Sequence, residues 1–143
     1  MSQEILTLAG FLLTFIGLVY TAEQIRRARK IALADFLLKL DDQIRNYDEV
    51  HSKLRPGGEW SKSSAGPQSP EDWIPVEKYM GLFERIQVMV ESGIVPINTI
   101  KKFYGYRVTN IVSNEIIKQN KLENRAENWE DFINLAKALK VYE

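Results

Sequence analysis

From Ile5 to Ala22, between Glu4 and Glu23, the chain carries no charge and is filled with Leu, Phe, Ile and Val. A helix of that length, at about 1.5 Å per residue, spans about 27 Å, close to the roughly 30 Å hydrocarbon core of a bilayer, so the pattern predicts a membrane-spanning helix. Its small and polar residues are not scattered. Gln3, Thr7, Gly10, Thr14, Gly17, Thr21 and Gln24 succeed one another at spacings of 4, 3, 4, 3, 4 and 3, one narrow stripe on a helix otherwise covered by large apolar side chains. Small residues let backbones approach closely and threonine hydroxyls can bond across an interface. Thr7, Gly10, Thr14, Gly17 and Thr21 are therefore the candidate self-association seam, and a homo-oligomer is expected.

Arg26, Arg27, Arg29 and Lys30 follow the apolar stretch, whereas Ser2, Gln3 and Glu4 precede it. Basic residues stay on the cytoplasmic side and meet anionic lipid there, which predicts a single-pass protein of the cytoplasmic (inner) membrane, N-terminus out and C-terminal domain in the cytoplasm. With no basic residue before the stretch and no small-x-small site before Glu23, a cleaved signal peptide fits poorly.

Beyond the basic cluster the helical pattern continues, with no Gly or Pro between Gly17 and Pro56 and an apolar face of Leu33, Leu37, Leu40, Ile44 and Tyr47. The first helix is thus expected to run from membrane into domain. Four of the five prolines then fall between Ser52 and Pro75, with Gly57, Gly58, Gly66 and a serine-rich run, predicting a long loop over 52–75 that holds Trp60 and Trp73. A second helix is expected from near Val76 to Gly93, with turn and N-terminal signals at Ser69, Pro70, Glu71 and Asp72, burying Met80, Phe83, Ile86 or Gln87, and Val90. A short one with Ile100 and Phe103 should break at Gly105, another should cover 106–119, and a last one should run over 125–140 with Trp129, Phe132, Ile133, Ala136 and Leu139. No stretch alternates with period two. The fold class read from the pattern is all-α: an anchor over 1–24 continuing into a small cytoplasmic helical bundle over 25–143.

Composition narrows the chemistry. The length of 143 residues suits one domain plus an anchor. Nineteen basic residues balance nineteen acidic ones, which argues against a DNA-binding role. The absence of cysteine removes disulfides, thiolate metal sites and cysteine nucleophiles, and His51, the single histidine, has no companion for a transition-metal site. Neither a nucleophile elbow nor a phosphate-binding loop is present, and the adjacent acidic pairs, such as Asp41 and Asp42, point about 100° apart on a helix. No catalytic residue, metal or cofactor is expected, and the protein reads as non-enzymatic. Glu84, amid Phe83, Ile86 and Val88, either pairs with Arg107 or Arg85 or faces water beside Glu77 and Lys78.

One charge asymmetry changes this picture. From Ile94 to Arg125 the basic residues Lys101, Lys102, Arg107, Lys118, Lys121 and Arg125 outnumber Glu115 and Glu123, with Tyr104 and Tyr106 among them. Such a surface is a candidate receiver of an anionic ligand, a nucleotide signal, RNA or a lipid headgroup, or else it compensates acidic neighbours.

The order of anchor and helices, with phrases such as Phe83-Glu84-Arg85 and Asn128-Trp129-Glu130-Asp131-Phe132, resembles uncharacterised small membrane-anchored helical proteins of bacteria. The resemblance implies no catalytic residue, although some proteins of such layout act in antiviral defence. The reading that results is a membrane-anchored interaction or signalling protein that self-associates through its span and binds a protein partner or anionic signal. Its rival is a pore-forming or membrane-disrupting effector.

Overall fold

The computed structural model describes residues 3–62 and 64–143. Among them every regular element is helical: α1 (Gln3–Arg45), α2 (Asp48–Leu54), α3 (Pro70–Glu91), α4 (Ile97–Val112), α5 (Glu115–Ile117), a π-turn (Lys118–Glu123), a 3-10 turn (Ala126–Asn128) and α6 (Glu130–Ala138). The fold is all-α, as the periodicity predicts. Contacts divide the chain into two compact units, Met1–Leu40 and Asp41–Glu143.

The first unit is helix alone. Every residue from Gln3 to Ala32 is exposed, including Leu8, Phe11 and Leu13. The helix is long and apolar enough to cross a membrane, and none of its most apolar window is buried. Its surface ion pairs, Arg27 with Glu23 at 3.2 Å and Lys39 with Asp35 at 2.7 Å, lie one turn apart and contribute a few tenths of a kcal/mol each, roughly.

In the second unit the helical run ends without Gly or Pro. The Asn46 and Tyr47 N–H groups turn to carbonyls three residues back, on Gln43 and Ile44, and α2 restarts with Asp48 and Glu49 in its first turn. Acidic side chains there complement the positive end of the helix. The apolar face expected to run unbroken to Tyr47 therefore changes helix.

α3 starts at Pro70 rather than near Val76. Ser69 caps it: its hydroxyl accepts the Asp72 N–H, while the Asp72 carboxylate accepts the N–H groups of Gln68 and Ser69. Those two backbone donors hold the Asp72 carboxyl below its ordinary pKa. Such a reciprocal box satisfies donors that a helix start leaves orphaned, and further along Pro75 lies inside the helix at the cost of one backbone bond. The connection shrinks accordingly to residues 55–69.

The core lies between α3 and α6, with α2 and α4 alongside. An aromatic series runs through it, Tyr47 stacked on Tyr79 at 5.3 Å, Tyr79 edge-on to Phe83 at 5.2 Å, and Phe83 edge-on to Phe132 at 6.4 Å. Phe132 and Leu135 on one face of α6, and Leu139 just past its end, are buried, and burying each such side chain stabilises by about 1.5–3 kcal/mol. Gly105, expected to interrupt a helix, is instead buried within the continuous α4. The break comes at Ser113 and Asn114, and the last helix is shorter than expected, α6 being preceded by the 3-10 turn.

Candidate functional site

Three groups of side chains qualify for function, and each is built from a different part of the chain. The first centres on Arg107 of α4. Its guanidinium donates from Nη2 to Asp48 Oδ1 on α2 at 3.0 Å, from Nη1 to the Tyr79 hydroxyl on α3 at 3.3 Å, and from Nε to the Tyr106 hydroxyl at 3.0 Å. Burial pushes the Tyr79 phenol up to about 12, against the pull of Arg107, so it remains a neutral hydroxyl at any physiological pH. His51 of α2 meets Tyr106 edge-on at 5.4 Å. Burial, and then the Arg107 charge, hold its pKa below the ordinary histidine value, and its buried Nδ1 has no partner among the described residues. The guanidinium is thus spent on tying α2, α3 and α4 together.

The second group surrounds a cleft of about 320 Å³ between the start of α3 and the π-turn. Trp73, Ile74 and Glu77 come from α3; Asn120 and Lys121 come from the π-turn, and Arg125 follows it. Lys121 is buried, its ammonium bonded to the Glu77 carboxylate and set 4.5 Å from the centre of the Trp73 ring. The π-turn makes this placement possible: the Asn124 N–H reaches the Gln119 carbonyl five residues back at 3.0 Å, widening the helix where Lys121 turns inward.

The third is the stripe on α1. A Cβ added at Gly10 or Gly17 would meet nothing within 4 Å, so both positions are open notches in an exposed apolar surface. The hydroxyls of Thr7, Thr14 and Thr21 donate to the carbonyls of Gln3, Gly10 and Gly17, each one turn back on the same helix, at 2.8–2.9 Å. They are satisfied within the helix rather than left seeking a partner.

A family model described as a domain of unknown function, DUF4760, matches residues 4–139. The chain belongs to the DUF4760 family. Comparison with curated proteins and with solved structures gave no match.

In this DUF4760 chain the six cations that the sequence groups together take separate places. Arg107 and Lys121 are internal partners of Asp48 and Glu77. Lys118 lines another polar cleft with Glu115 and Lys140, while Lys101 and Lys102 are exposed on α4. Lys121 and Arg125 line one cleft together. A charge count along the segment misses this because it carries no information on which way each side chain points. Arg26, Arg27, Arg29 and Lys30 are all exposed on α1.

Among the described residues Glu84 forms no ion pair with Arg107 or Arg85. It is half-buried beside Asp131, and burial together with that carboxylate raises its pKa, while the Phe132 N–H and Arg85 pull it down. Trp60 is buried with Lys53 over its ring at 4.8 Å, whereas Trp73 belongs to the cleft. Two residues escaped sequence reasoning. Glu77 reads from the sequence as part of a solvated face, though its spacing to Trp73, one turn apart, is a local signal for a shared site. Asn114 had no such signal, since its amide bonds the Trp60 and Ala65 carbonyls across the chain.

Proposed function

We propose that this protein is a non-enzymatic, single-pass anchor of the cytoplasmic membrane that self-associates through α1 and presents its helical domain to a partner in the cytoplasm. The observation that carries this reading is the apolar part of α1, whose large side chains are exposed on every face. Water around so long an apolar helix would cost tens of kcal/mol at about 25 cal/mol per Å², and lipid removes that cost. Arg26, Arg27, Arg29 and Lys30 then meet the anionic cytoplasmic surface.

Self-association rests on shape. With the threonine hydroxyls bonded to their own helix, the polar attraction between spans is small, and the close approach allowed at Gly10 and Gly17 supplies the packing. The test is the oligomeric state of the full-length protein in nanodiscs. A defined oligomer that Gly10→Leu and Gly17→Leu dissociate is the expected result. A wild-type monomer, or an oligomer indifferent to both changes, refutes assembly through the span.

A further inference from the structure

The cleft beside Lys121 combines three properties that internal packing does not require together. It holds a lysine ammonium that is 5% exposed as a residue, set against the Trp73 ring and hydrogen-bonded among the described residues to one carboxylate, Glu77, so that it can still donate to a third partner. Arg125, exposed at its rim, makes no ion pair among the described residues, and the Asn120 side chain lines the same space. Pro70, Ile74 and Trp73 give the other wall an apolar surface, on which Ile74 is 52% exposed. The lining therefore carries two cations against one carboxylate, facing a hydrophobic wall.

The geometry points to this cleft as a binding site for a phosphate monoester carried on a compact apolar body. Phosphate oxygens can take a point charge from Lys121 and the planar fork of Arg125 at once, while the apolar body covers Ile74 and Pro70. A space of about 320 Å³ lies at the small end of the range typical of ligand clefts, suited to one such molecule. The π-turn that carries Lys121 into the cleft fits the assignment, since such turns are rare and recur at functional sites. The site belongs wholly to the second unit and does not depend on how α1 meets a membrane.

Phenyl phosphate is the probe, titrated calorimetrically into the full chain in phosphatidylcholine nanodiscs in phosphate-free buffer. Saturable binding is expected, at least about tenfold tighter than inorganic phosphate because the ring covers the apolar wall, and Arg125→Gln should weaken it about tenfold or more. Arg125 is exposed, so this variant keeps the fold; Lys121→Met, checked for folding by circular dichroism, should abolish binding. Repeating the titration in nanodiscs containing phosphatidic acid separates the two sources of the chemistry. Competition there assigns the site to a lipid headgroup, and unchanged affinity assigns it to a free molecule. Absence of saturable binding, binding untouched by Arg125→Gln, or inorganic phosphate binding as tightly as phenyl phosphate overturns the proposal. Because α1 inserts into the nanodisc in every arm, failure here leaves the reading of α1 untouched.

Discussion

Asn114 closes three hydrogen bonds with one amide: Nδ2 donates to the Trp60 and Ala65 carbonyls at 2.9 and 2.8 Å, and Oδ1 accepts the Ile117 N–H at 3.0 Å. It fastens the 55–69 connection and caps α5 at once. Gly66 sits against it, where a Cβ would press on Asn114 Oδ1 and Ile116 at 3.0 Å. Asn114→Ala strands two carbonyls and an N–H in a buried place, with an expected loss of about 2–4 kcal/mol in urea denaturation followed by tryptophan fluorescence. From sequence, Asn114 reads as no more than a polar residue in a helical run, because its partners lie 54 and 49 residues away. His51 was legible as a lone histidine without metal partners, yet its neighbours were not. Burial first and Arg107 next depress its pKa, with Arg55 acting the same way and Asp48 opposing. A depressed folded value means that the unfolded chain takes up the proton first as pH falls. The stability His51 contributes is therefore complete above about 6.5 and is lost as pH falls through that value toward the folded one. Between about pH 7.5 and 5.5 the thermal midpoint of wild type should drop more than that of His51→Gln, and parallel curves would disprove the assignment.

At the scale of elements, periodicity carried the existence of the helices and turn chemistry carried their ends only in part. α1 and α6 announced themselves through apolar spacing. The start of α3 did not, because Pro75 has the look of a loop residue and the Ser69–Asp72 capping signal must be weighed against three more prolines nearby, Pro56, Pro67 and Pro70. Gly105 misled in the opposite sense: the roughly 1 kcal/mol that glycine costs a helix is outweighed by the burial of Tyr104, Val108 and Ile111 around it. On α1 the heptad stripe was visible, but the destination of its hydroxyls was not. Their bonds to carbonyls one turn back separate two kinds of substitution. Thr14→Val removes only a bond internal to the helix and should leave the oligomer intact, whereas Gly17→Leu fills the notch and should shift the population to monomer in crosslinking of nanodisc samples. If Thr14→Val dissociates the oligomer as fully as Gly17→Leu, hydrogen bonding between spans dominates after all.

For the whole molecule, the DUF4760 match over residues 4–139 covers almost all of α1 together with the helical domain, so the apolar helix is part of the family's shared pattern. Fold class could be read from the chain because helical spacing is a local property. The gathering of Trp73, Glu77, Lys121 and Arg125 could not, since it depends on a π-turn and on the packing of segments far apart in sequence. The proposed topology sets α1 across a membrane and the domain in the cytoplasm. It is tested most directly by single-cysteine labelling, on a silent background because the protein has no cysteine of its own. With a membrane-impermeant maleimide on intact spheroplasts, Gln3→Cys should label at once and Ser52→Cys only after lysis. Equal labelling of both positions before lysis, or Ser52→Cys labelled and Gln3→Cys protected, would contradict the account.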